Sequence, residues 1–192
     1  MNNKTILLIL LISPAIVLGL STLAFTFGYG PVATKNYGTF FEKSFSVHSM
    51  ENLEDNPGAN FSGRTWVLGI YGDDFKDLEQ AMYVMKQVNI ALNRDIYKLD
   101  RYIFFNSFSN LDYVKEQFPR VILQKEADPS LMVDLENFSK DSFFETDKIF
   151  LLDPYGRAVM YYELKGIDPK KLLKDLMTHI GNSFIILQTF LK

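Results

Sequence analysis

Between Lys4 and Lys35 the chain carries no charged side chain, and Ile6 to Tyr29 is dominated by Leu, Ile, Val, Ala and Phe. A stretch of that length can cross a bilayer, since roughly 20 apolar residues rising 1.5 Å each span about 30 Å of hydrocarbon. The rival reading is a cleaved signal peptide, whose apolar region is shorter, about 7–15 residues, and ends at a small-x-small site. Ser21-Thr22-Leu23-Ala24 is a weak version of such a site. The run continues past it through Phe25, Phe27 and Tyr29, which favours an uncleaved signal anchor over residues 1–30. Pro14 fits there because Ser13 and local adjustment can satisfy the freed carbonyl. Lys4 lies on one side of the run and Lys35 and Lys43, partly offset by Glu42, on the other, so charge alone does not set the orientation. A four-residue tail ahead of a large polar domain is the layout of an anchor that exports its C-terminal part. The expectation is that residues from about Gly30 onward lie outside the cytoplasm.

The remainder has room for one domain. Residues 31–64 mix Gly, Asn, Ser and Pro with isolated aromatics and show no sustained period, which reads as a linker packing on the domain, with Asn56-Pro57-Gly58 its clearest turn. Residues 65–192 carry the regular elements. Thr65 to Tyr71 is a β-branched and aromatic run, read as a buried strand. Asp73 and Asp74 supply an N-cap. Phe75, Leu78, Met82, Met85, Val88 and Leu92 then fall at steps of three and four, tracing one face of a helix through Asn93.

Tyr102–Phe105 is a second strand, Leu111–Phe118 a helix stopped by Pro119, Val121–Leu123 a third strand, and Pro129–Phe138 adds a helical turn or two. Ile149–Leu152 and Ala158–Tyr162 flank Asp153-Pro154-Tyr155-Gly156, whose Asp, Pro and Gly suit a type I turn, so the two strands form an antiparallel hairpin. Asp168-Pro169 opens a last helix with Leu172, Leu173, Leu176 and Ile180 on one face. The order β-α-β-α-β, hairpin, helix gives an α/β fold: a thioredoxin-like mixed sheet with flanking helices, preceded by one transmembrane helix. The apolar tail Phe184–Leu191 is too short to span a bilayer; it either extends the last helix into a groove or rests on the membrane surface.

The chain contains no cysteine. Disulfides, thiolate catalysis, Fe–S clusters and every zinc site that uses Cys are thereby excluded. His48 and His179 have no partner at ligand spacing and read as surface or cap histidines. With 20 Lys+Arg against 23 Asp+Glu there is no electrostatic footprint for nucleic acid. In a thioredoxin-like protein the functional cysteines sit where the first strand meets the first long helix, because free N–H groups and the helix dipole stabilise a thiolate there. Here that junction is Gly72 to Leu78, with Asp74 read as a structural cap and Leu78 as core.

Asp74-Phe75-Lys76-Asp77-Leu78, then Met82-Tyr83-Val84-Met85-Lys86-Gln87-Val88, then Ala91-Leu92-Asn93 resemble a small family of membrane-anchored, Sco-like proteins associated with bacterial cytochrome c oxidase gene clusters. Its members typically read Cys-x-x-x-Cys, a Leu-Tyr-x-x-Arg-Gln helix and an Ala-Leu-Gly-Lys-like stretch. The block Ile149 to Met160, then Asp168-Pro169-Lys170 and Leu173-Lys174-Asp175-Leu176, is similar to the family's hairpin and closing helix. Pro31, with Asn36-Tyr37-Gly38, resembles its entry segment. The resemblance implies the fold of the Sco copper chaperones, which hold Cu(I) with Cys-x-x-x-Cys and a histidine before the hairpin. On that alignment the cysteine positions fall on Asp74 and Leu78 and the histidine near Glu145. Cu(I) selects thiolate and imidazole, which two oxygen donors and a hydrocarbon do not replace. No metal or other cofactor is therefore expected, and no catalytic residue.

Other chemistry has bland explanations. The carboxylate pairs Asp73/Asp74 and Glu54/Asp55 read as solvated surface, Met82 and Met85 as core filler, and no Walker, dinucleotide or Gly-x-Ser-x-Gly motif occurs. Asn60-Phe61-Ser62 and Asn137-Phe138-Ser139 fit the glycosylation pattern, which matters only in a eukaryotic secretory setting. With 17 Phe and 10 Tyr, the set Tyr102, Phe108, Tyr113, Tyr161 and Tyr162 offers candidates for an aromatic binding surface. The expectation is a non-enzymatic, single-pass protein of a bacterial inner membrane, its C-terminal domain in the periplasm, partnered by cytochrome c oxidase subunits or assembly factors. The alternatives are a copper or thiol assembly factor that borrows ligands from a partner, and a membrane-anchored scaffold unrelated to respiration.

Overall fold

The computed structural model describes residues 3–26, 36–47, 50–51, 61, 65–72, 77–107, 111–126 and 129–190. Two compact units result, 1–35 and 36–192. The first holds helix α1, Asn3–Thr26, whose 24 residues extend about 36 Å at 1.5 Å per residue. Its Leu11, Val17 and Leu18 side chains are exposed. Side chains of α1 are described without a break only over 10–23, and among the described residues no helix is long and apolar enough to cross a membrane. The span expected over residues 1–30 is thus not shown by the described residues.

The second unit is built on a mixed sheet. Its strands are β1 (Thr39–Phe40), β2 (Met50–Glu51), β3 (Trp66–Tyr71), β4 (Leu99–Phe105), β5 (Ile122–Glu126), β6 (Lys148–Leu152) and β7 (Ala158–Glu163). Among the described residues their order is β1-β7-β6-β3-β4-β5-β2. β3, β4 and β5 run parallel, and the β6–β7 hairpin lies antiparallel beside β3. The helices are α2 (Leu78–Ala91), α3 (Leu111–Gln117), α4 (Ser130–Phe138) and α5 (Pro169–Phe190), with a 3-10 turn at Asn93–Lys98.

Every residue of β3 is buried, and its alternation splits the core in two. Trp66, Leu68 and Ile70 face α2 and α5 through Met82, Met85, Val88, Leu172 and Leu176. Val67 and Tyr71 face α4 and residues 41–47 through Leu131, Leu135, Phe41 and Phe45. Gly69 lies on this second face, where a Cβ would stand 2.9 Å from the Phe104 ring and 3.0 Å from the Phe150 ring. Those rings pack with centroids 5.5 Å apart.

Several boundaries depart from the sequence expectations. α2 starts at Leu78 and its cap position is Asp77; Asp73 and Asp74, expected as the cap, lie outside the described residues. The start is pinned from outside, because the Asp77 N–H donates to Asp147 Oδ2 at 2.8 Å. At the other end α2 stops at Ala91, before Asn93, which takes a positive φ of 50° and turns the chain into the 3-10 segment. The 31–64 stretch supplies both edge strands, β1 on β7 and β2 on β5, and buries Phe41, Phe45 and Val47. Asp175 on α5 holds the chain just before β1: Oδ2 accepts the N–H groups of Tyr37 at 2.7 Å and Gly38 at 2.9 Å.

The hairpin turn and the last cap form as their residues dictate. Asp153 accepts the N–H groups of Tyr155 and Arg157, and Gly156 takes φ +79°. Asp168 Oδ1 accepts the Lys170 N–H at 2.9 Å. α5 continues as helix to Phe190; the surroundings of the Phe184–Leu191 side chains lie outside the described residues. His179 is not a surface residue, since its ring packs on Trp66 and Phe40 at 5.7 and 6.5 Å, and burial holds its imidazole below the ordinary histidine value. His48 lies outside the described residues.

Gly69 is the tightest point of this frame. Gly69→Ala should cost about 1–3 kcal/mol by overpacking the Phe104 and Phe150 rings, read as a lower denaturant midpoint of the full-length protein in detergent.

Candidate functional site

The junction between β3 and α2 is where a thioredoxin-like fold keeps its chemistry, so its local geometry decides what this chain can do there. The strand leaves through Gly72, whose N–H donates to the Phe104 carbonyl at 2.7 Å. At the helix side of the junction stands Asp77, tied to Asp147. Opposite lies the loop 139–147 that precedes β6. Glu136 organises it, accepting the Ser142 hydroxyl at 2.7 Å and the N–H groups of Phe143 and Phe144 at 2.8 and 3.4 Å. The Ser142 hydroxyl holds the Glu136 carboxyl below the usual carboxylate value, helped by those N–H groups and by Lys148 against the opposing effect of desolvation. Lys148, itself buried, donates from Nζ to the carbonyls of Ser142 at 2.7 Å and Phe143 at 3.1 Å.

This fixed loop and the start of α2 enclose an open cleft of about 510 Å³, lined by Asp77, Gln80, Glu145, Asp147, Leu164 and Lys165 among others. Glu145, expected near the family's histidine position, is exposed in that cleft. Leu78 does not line it; the side chain is partly buried against the core formed with Met82 and Met85. Asp74 lies outside the described residues. The two described positions of the set therefore point to different environments, one to solvent and one to hydrocarbon. Among the described residues no three His, Cys, Asp or Glu side chains are grouped to hold a metal ion. The donor set that the resemblance would put here does not fit Cu(I), since a carboxylate and a leucine are neither thiolate nor imidazole. What the cleft offers is a polar, mixed-charge surface with carboxylates, an amide and the Lys165 ammonium.

The aromatic candidates divide sharply. Tyr102, Tyr161 and Tyr162 are buried and pack the core, against the expectation of exposed members, and burial pushes the Tyr162 phenol far above its ordinary value. Phe108 lies outside the described residues. Tyr113 alone of the set is shown exposed, and its hydroxyl donates to Glu79 Oε1 at 2.6 Å. Of the carboxylate pairs, Glu54/Asp55 and Asp73/Asp74 also lie outside the described residues, while Met82 and Met85 are fully buried core.

Sequence reasoning missed Glu126. It is 1% exposed, accepts the Tyr71 hydroxyl and the Leu131 N–H, both at 2.6 Å, and so anchors the start of α4 to the end of β3. Its position at the end of a strand just before Pro129 was the available signal, since the N-terminal turn of a helix leaves donors that a carboxylate satisfies.

No curated protein matches the sequence. Among solved structures the chain is similar to copper-bound ScoI from Arabidopsis thaliana, at 13% identity over 62% of this chain and 86% of that one, TM-score 0.45. It is similar also to BsSco, a member of the Sco family of cytochrome c oxidase assembly proteins, at 12% identity over 80% and 98%, TM-score 0.46. A peroxiredoxin Q from Xanthomonas campestris matches at 14% identity over 62% and 81%, TM-score 0.41. At these identities and scores the likeness carries nothing about activity.

Leu78 and Met82 sit on one face of α2, the first half-buried and the second fully buried. Met82→Ala should cost about 2–5 kcal/mol and Leu78→Ala measurably less, as ranked by denaturant melts. The model for the transmembrane-like, thioredoxin-like, C-terminal domain matches residues 75–180, more than half of the chain and everything from the start of α2 to the described side chains of α5, and the protein belongs to that family.

Proposed function

We propose that this protein is a non-catalytic, membrane-anchored thioredoxin-like protein that acts by protein contact in cytochrome c oxidase assembly, with its domain on the periplasmic side of a bacterial inner membrane. The observation that carries the non-catalytic part is the state of the β3–α2 corner. Leu78 is half-buried against the core and Glu145 is exposed, in a chain without a single cysteine. Neither redox cycling of a dithiol nor soft-metal transfer has its donor atoms in such a corner.

The anchor is supported by α1, which carries no charge beyond Lys4 and exposes Leu11, Val17 and Leu18. Exposed apolar side chains in that number on one helix have a physical reason when lipid surrounds them. The oxidase partner rests on the sequence blocks around Asp74–Val88 and Ile149–Leu176 that resemble the proteins of oxidase gene clusters. A loop at 139–147 tied down by Glu136 and Lys148 and a cleft rich in carboxylates suit recognition of another protein surface more than turnover of a small molecule.

Affinity capture of the full-length tagged chain from detergent-solubilised native membranes tests the proposal. Oxidase subunits or assembly factors should co-purify, and capture should fall several-fold for Glu145→Lys with the thermal midpoint unchanged. Recovery of no respiratory protein would contradict the assembly role.

A further inference from the structure

A second cavity, of about 330 Å³, opens beside the C-terminal half of α2 and is lined by Lys86, Asn89, Ile90, Ile96, Arg101, Gln117, Phe118, Pro119 and Arg120. Its charge is one-sided. Among the described residues three cations line it and no carboxylate does. Arg101 is the unusual member, because β4 alternates and its neighbours on the same face, Leu99, Ile103 and Phe105, are all core residues. An arginine thus stands at a core position of the strand, 8% exposed as a residue, with its side chain at the cavity. Among the described residues it has no hydrogen-bond acceptor and no counter-charge, and its influential charged neighbour is Arg120, a second cation.

Holding a charge at a largely buried position with no counter-charge is costly, and folds keep such a group only against some compensation. The cavity supplies the place for one. Asn89 fixes the wall by donating from Nδ2 to the carbonyls of Ile96 at 3.2 Å and Leu99 at 2.8 Å. Ile90 and Ile96 stand exposed at the cavity, apolar surface that water wets at a cost. A monocarboxylate would leave two of the three cations uncompensated. A phosphate group, carrying about −1.5 to −2 at neutral pH, answers them better and accepts the forked N–H pairs of arginine.

We propose that this cavity binds a phosphate monoester, with the phosphate on Arg101, Arg120 and Lys86 and the apolar body of the molecule on Ile90, Ile96 and Phe118. The monoester is either a membrane lipid headgroup of the phosphatidic acid kind or a water-soluble metabolite, and the chemistry of recognition is the same. Among the described residues the site shares no lining residue with the Glu145 cleft.

Isothermal titration of the full-length protein in dodecyl maltoside micelles with phenyl phosphate, and with inorganic phosphate against chloride at equal ionic strength, tests this. One-to-one binding is expected, tighter for phenyl phosphate by about tenfold because its ring covers the isoleucines. Arg101→Met should weaken binding by at least about tenfold, the loss of a charged hydrogen-bonding partner, while raising the thermal midpoint of the unliganded protein. Arg120→Gln, at an exposed position, should weaken binding several-fold and leave the midpoint where it was. Displacement of phenyl phosphate by phosphatidic acid but not phosphatidylcholine in mixed micelles assigns the lipid source; displacement by soluble monoesters alone assigns the other. No saturable binding, binding unchanged in both variants, or a midpoint lowered by Arg101→Met would overturn the proposal.

Discussion

Full burial of β3 is the constraint on which the rest of the domain depends. Six residues with no solvent-facing side require a covered sheet on both faces, and the two cores that cover it recruit every described helix of the domain. Gly69 makes the second cover possible, because the Phe104 and Phe150 rings close over the place where a side chain would stand. At one end the chain delivers Gly72 and Asp77 to the α2 corner; at the same end Tyr71 reaches Glu126 and fixes α4.

The corner itself keeps the layout of a thioredoxin-like fold in a chain that has no cysteine. Helix α2 still starts beside the loop before β6, and that loop is still held firmly, by Glu136 and by buried Lys148. The scaffold that would orient reactive groups is retained. Among the described residues the groups at the corner include an exposed glutamate and a half-buried leucine. A fixed, polar, concave surface is what recognition of a folded partner requires, since it leaves little ordering entropy to be lost on binding.

Much of this was legible in the sequence, and the exceptions have physical causes. The period of three and four in Met82, Met85 and Val88 marks a helix face unambiguously, and Asp153-Pro154-Tyr155-Gly156 can make little other than a turn. The start of α2 is hard to place from sequence because Asp73, Asp74 and Asp77 are all chemically suitable caps; Asp77 takes the cap position without a side-chain cap bond, and its N–H is held by Asp147, seventy residues away and invisible to local pattern. The edge strands β1 and β2 were missed because two residues of strand have no period, and they form only by borrowing the edges of β7 and β5. Tyr161 and Tyr162 were read as possible surface because tyrosine is ambivalent, whereas the register of β7 on β6 buries both. Arg101 broke the apolar alternation of β4 in plain view, and only the cavity beside it gives the break a meaning.

The central claim is that the Glu145 cleft is a contact surface, and proximity labelling of that cleft in native membranes tests it directly. A photoreactive benzoylphenylalanine at position 145 or 80 of the full-length chain should give, on illumination, a discrete adduct containing an oxidase subunit or assembly factor. The same group at exposed position 97, on the 3-10 turn outside the cleft, should give none. Equal adducts from all three positions, or none from 145 and 80 where 97 reacts, would contradict it.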